Sequence, residues 1–102
     1  MTPPSLTLRK RRSVVVFAGD ARVSDRAARA LAGSLEAAGV EILYLGRESS
    51  ARRIAASAAE ARADSVEVCV AGGGAVLLLR ALLRELKGVD RREVSIVVHR
   101  VQ

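Results

Sequence analysis

The chain has 102 residues, a formal net charge of +6 and 50% apolar residues, which makes it one small domain with enough apolar material for a core. A single cysteine excludes a disulfide framework and suits a reducing cytoplasm. No apolar run approaches the length of a membrane span, and none follows the charged N-terminus as a signal peptide requires.

Residues 1–11 read as a flexible basic tail. Met1 to Lys10 holds two prolines and no periodicity, and Arg9-Lys10-Arg11-Arg12 form a basic cluster. Residues 12–102 then read as one α/β domain. Ser13 to Ala18 is a β-branched apolar run without alternation, the pattern of a strand buried on both faces. A loop from Gly19 to Asp25 follows. The first helix is expected to start near Ser24, capped by its hydroxyl, with Asp25 in the first turn against the helix dipole. Its apolar stripe is Ala28, Leu31, Leu35 and Ala38, and Gly39 ends it.

Glu41 to Leu45 is a short second strand stopped by Gly46. Ser49 or Ser50 caps a second helix whose inner side is Ile54, Ala55, Ala58 and Ala61. Ser65 to Ala71 is the third strand, Gly72-Gly73-Gly74 a loop, and Ala75 to Lys87 a third helix closed by Gly88. Glu93 to Val98 is the fourth strand. This alternation predicts a three-layer, flavodoxin-like parallel sheet of order 2-1-3-4. The loops Gly19–Asp25 and Gly72–Gly74 then flank one crevice at the switch in strand order.

With the loops placed, the chain resembles the cobalamin-binding domain of the acyl-CoA mutases, such as methylmalonyl- and isobutyryl-CoA mutase. The resemblance spans roughly Ser13 to Gln102. It rests on Gly39-Val-Glu-Ile-Leu-Tyr-Leu-Gly46, on Ala63-Asp64, on Leu82 to Leu86, and on Asp25-Arg26 with Ala28 and Arg29. The family carries Asp-x-His-x-x-Gly in the first loop, its histidine being the lower cobalt ligand. Those positions are Arg22, Ser24 and Ala27 here. A guanidinium has no acceptor with which to orient a ligand, and a hydroxyl is a poor cobalt donor. The family's Ser-x-Leu falls on Cys69-Val70-Ala71. Its glycine pair after strand four falls near Val98-His99-Arg100, where the side chains obstruct a nucleotide tail. The domain is therefore expected to lack the family's fifth strand and last helix.

The resemblance therefore implies a domain that has kept the scaffold and lost the cofactor. The expectation is a stand-alone, non-catalytic module without mutase activity of its own, acting by protein association, with no cofactor. If the family function is retained, it is a cobalamin carrier or small subunit serving an acyl-CoA mutase in trans. The residues that a ligand would then meet are Asp20, Arg22, Ser24, Asp25, Cys69, Gly72, Gly73 and Gly74. A third reading is a phosphate or nucleotide site on the glycine loop, although no Gly-Lys-Ser/Thr follows it.

Cys69, set among valines, reads as a core thiol, and His99, the only histidine, has no evident carboxylate partner in the sequence. The arginines read as a solvated surface rather than a nucleic-acid footprint, because no aromatic platform accompanies them. No catalytic residue and no metal site are expected. The fourth strand, with Val94, Ile96 and Val98, is expected to present an open edge that pairs with a second copy or a partner protein. Leu77 falls beside Arg80, Arg84 and Lys87 at helical spacing, which places an apolar group in water.

Overall fold

A computed structural model describes residues 10–19, 21–47, 50–72, 75–89 and 94–101. Most of the expected N-terminal tail lies outside these residues. The element order is β1 (Arg12–Gly19), α1 (Ala21–Ala37), β2 (Glu41–Arg47), α2 (Ala51–Ala61), β3 (Ser65–Ala71), α3 (Ala75–Val89) and β4 (Ser95–Val101). The four strands form one parallel sheet in the order β2-β1-β3-β4. This is the flavodoxin-like α/β arrangement expected from the alternation of elements.

Alternate residues of each strand face opposite sides of the sheet. One face carries Val14, Val16, Val66, Val68 and Val70 against Ile54, Ala55 and Ala58 of α2 and Leu82 and Leu86 of α3. The other carries Val15, Phe17 and Cys69 against Ala28 and Ala32 of α1. Two cores on one sheet explain the unbroken apolar run Val14 to Ala18 of β1, and why every residue of β3 is buried, Ser65 and Glu67 included. Fully burying a valine contributes on the order of 1.5–3 kcal/mol. The central valines thus outweigh the shortage of aromatic side chains. Asp64 ties the amino ends of three strands together. Its backbone N–H donates to the Arg12 carbonyl at 2.7 Å, its carboxylate accepts from the Arg12 N–H at 2.9 Å, and its carbonyl accepts from Ser95 at 3.1 Å.

Several boundaries differ from the sequence reading. α1 starts at Ala21, so Ser24 lies inside the helix and is not its cap, and Asp25 is past the first turn. Ala38 is exposed beyond the helix end, and Ala32 takes the inner position instead. Gly39, at φ 93°, does end α1. Gly46 does not stop β2. The partner of Val15 is Tyr44 and that of Val16 is Gly46, so Leu45 is the extra residue of a bulge. Gly46 takes φ 73° there, a conformation that costs a side chain energy. Of the two serines offered as caps for α2, Ser50 does the work, accepting from the Arg53 N–H at 3.3 Å. Gly88 sits within α3 rather than closing it.

Candidate functional site

The switch in strand order falls between β1 and β3. Gly19 pairs with Ala71, so the carboxyl ends of these two strands lie side by side. Their helices depart to opposite faces, α1 to one and α3 to the other. The crevice expected from the sequence is therefore located, but the chain around it is short. One residue, Asp20, separates β1 from α1. Asp20, Gly73 and Gly74 lie outside the described residues. Arg22 is in the first turn of α1, and Gly72 takes φ 86° just after β3.

The described candidates do not converge on that crevice. Ser24 is fully buried, and its hydroxyl donates to the Ala18 carbonyl at 2.9 Å, stitching α1 to the end of β1. Asp25 points toward β2. Its carboxylate accepts from the Tyr44 hydroxyl at 2.7 Å and from Arg29 Nε at 3.0 and 3.1 Å. The Arg29 guanidinium lies 5.2 Å from the centre of the Tyr44 ring. The Tyr44 hydrogen bond, followed by Arg29, holds Asp25 below its usual range. Burial, and then Asp25, push the Tyr44 phenol up to about 12. This trio docks α1 on β2. Tyr44 was missed in the sequence because its partner is 19 residues away on another element.

Cys69 is 1% exposed in the α1-side core, and burial pushes its thiol up, with the Glu67 carboxylate adding to the effect. Such a thiol packs rather than reacts. His99, in contrast to the sequence reading, has a carboxylate partner: its Nε2 lies 2.9 Å from Oε1 of buried Glu67. The register explains the pairing. Cys69 stands opposite His99 and Glu67 opposite Val97, so all four share the α1 face. The missed signal was Glu67 itself, a lone carboxylate inside an apolar strand, which must find a partner when buried. Among the described residues no group of three or more His, Cys, Asp and Glu is placed to hold a metal ion.

Val98-His99-Arg100 also lie within β4 and not after it, paired with Val68, Cys69 and Val70. A cavity of about 270 Å³ opens at the other end of the sheet, lined by Arg12, Ser13, Glu41, Ile42, Leu43, Ala61 and Ala63. Its arginine is already engaged, by Glu41 at 2.9 Å and the Ala61 carbonyl at 3.3 Å.

The β4 edge remains. The Ser95 N–H donates to the Asp64 carbonyl, toward β3. Backbone groups alternate along a strand, so the N–H and C=O groups of Ile96, Val98 and Arg100 point away from β3. Val97 is 36% exposed on one face and Val98 44% on the other. β2, at the opposite edge, is interrupted by its bulge; β4 pairs with β3 without a register shift. Arg100, expected to flank the strand, is inside it and exposed. On α3, Leu77 is 76% exposed, as its place beside the basic side chains implies. No known protein family matches the chain, and no curated protein matches it significantly. No described helix is long and apolar enough to cross a membrane.

Proposed function

We propose that this chain is a non-catalytic, cobalamin-binding-domain-like module that works by adding its β4 edge to another polypeptide. One observation carries the reading. β4 presents the outward backbone groups of Ile96, Val98 and Arg100 with no bulge or proline to blunt them, beside exposed Val97 and Val98. An edge without a partner strand among the described residues is a template for a further strand.

The residues at the family's cofactor positions do not fit cobalamin, and this supports the same reading. Ser24 spends its hydroxyl proton on a backbone carbonyl and is shut off from solvent. Cys69 is packed in the core, and His99 is held by Glu67 within a strand where the family has glycines. The acyl-CoA mutase subunit remains a partner of the right kind only if the cofactor is held by other means.

Val98→Pro tests the reading, since it deletes one outward N–H at an exposed position of an edge strand. Wild type, purified or in a lysate of its source cells, should run in a complex larger than its own 10.8 kDa. The variant should not. Wild type running as a single chain in both settings overturns association. Stoichiometric red cobalamin retained through gel filtration overturns the loss of the cofactor.

A further inference from the structure

We infer that the solvent face of α3 docks on an anionic phospholipid surface, its cations on the headgroups and its apolar side chains reaching between them. This face is separate from the β4 edge, and the inference does not depend on association there. α3 supplies its share of the core from one side: Leu82 and Leu86 are buried, and Leu78, Leu79 and Ala81 pack against the same cluster. Its solvent side needs no apolar residue for folding, yet Val76 is 60%, Leu77 76% and Leu83 53% exposed. Among the described residues, the other exposed side chains of the helix are those of Arg80, Arg84 and Lys87.

At about 100° per residue, these six side chains fall within roughly one third of the helix circumference. Lys87, Arg80 and Arg84 occupy the middle of that arc. Val76 and Leu83 lie on one side of them and Leu77 on the other. Glu85, the one acid of α3, is half-buried and lies outside the arc. α2, packed beside α3 on the same face of the sheet, presents exposed Arg52 and Arg53 against one acid, Glu60. On the opposite layer the signs are mixed, with Asp25 and Glu36 among Arg26 and Arg29 of α1.

This arrangement selects the occupant. A protein partner is best met by a contiguous apolar centre inside a polar rim. On α3 the order is reversed, with cations in the centre and apolar groups on both sides. A nucleic-acid backbone would use the cations and leave Leu77 in water. A fluid lipid surface uses both. Its phosphates meet the cations, while Val76, Leu77 and Leu83 reach the acyl boundary and the arginine and lysine stems lie along apolar material. The net charge of +6 adds attraction at longer range. The helix, of 15 residues and with its other side on the sheet, lies along such a surface rather than crossing it.

Co-sedimentation with lipid vesicles tests the inference. The purified chain should bind vesicles of phosphatidylcholine and phosphatidylserine in equal parts, should not bind phosphatidylcholine alone, and should come off as salt is raised. A cation at such a surface contributes about fivefold in affinity, so Arg80→Gln with Arg84→Gln should bind about 25-fold more weakly. Leu77→Ala should also weaken binding severalfold, by removing apolar surface from the contact. Arg26→Gln with Arg47→Gln removes the same charge from α1 and the end of β2 and should lose far less. Circular dichroism confirms that each variant is folded. Wild type that leaves the mixed vesicles unbound overturns the inference. An equal loss in the two double variants also overturns it, since net charge alone then drives binding. Leu77→Ala that binds as wild type does overturns the apolar contact. Wild type that ignores vesicles, but whose Arg80→Gln with Arg84→Gln variant loses an acidic protein from a lysate complex, overturns the lipid surface in favour of a protein.

Discussion

Replacing Asp25 by asparagine should lower the ionisation midpoint of Tyr44. Tyr44 is the only tyrosine and there is no tryptophan, so ultraviolet absorbance of the phenolate reports this one side chain. Its phenol is raised from 10.0 to about 12, first by burial and then by the hydrogen bond to Asp25. The substitution removes the carboxylate and leaves the burial. The variant's midpoint should thus fall between 10.0 and about 12. The stability consequence follows in sign. A group with a raised folded pKa contributes fully below its ordinary value and loses that contribution as pH rises through the raised one. Wild type should lose the Tyr44 contribution between pH 10.0 and about 12, and Asp25→Asn should lose less over that window. Asp25, lowered from 3.8, works at the other end: its contribution is present above that value and is lost as pH falls below it. Circular dichroism at each pH separates titration from unfolding. Identical midpoints in wild type and variant would refute the docking of α1 on β2 through this bond.

The cores and the buried pair make two further predictions. Leu82→Ala, at a fully buried site between α3 and the sheet, should cost about 2–5 kcal/mol in urea unfolding, while Leu77→Ala, 76% exposed, should stay within about 0.5 kcal/mol. His99→Ala should cost about 1–3 kcal/mol at neutral pH by leaving buried Glu67 without its imidazole, and adding Glu67→Leu should recover part of that loss in thermal melts.

The order of elements and the sheet were readable because local pattern and global fold agree here. β3, buried at every position, is apolar but for Ser65 and Glu67, and its bounds, Ser65–Ala71, were legible. The errors arose where a local signal had a tertiary use. Ser24 looks like a helix cap, yet its hydroxyl closes on Ala18 from within the helix, which begins a turn earlier. Gly46 looks like a strand terminator, yet it serves a bulge that lets β2 continue. Arg62 ends α2 at φ 53°, where a glycine would have announced the turn. The site was less legible than the fold. The bonds of Asp25 to Tyr44 and of Glu67 to His99 join residues 19 and 32 positions apart, and neither shows in any local motif. The β4 edge was legible as an apolar strand, but which of its backbone groups face outward needed the Ser95 bond to Asp64.

Residue-resolved amide exchange along β4 tests the central claim most directly. The inward amides of Ser95, Val97 and His99 are held by β3 whether or not the edge is occupied. Among the described residues no strand holds the outward amides of Ile96, Val98 and Arg100, which an added strand would hold. Strand addition predicts that these three become protected together in the complex and exchange faster in the isolated chain. Outward amides that exchange as freely in the complex as in the isolated chain, beside protected inward ones, would contradict it.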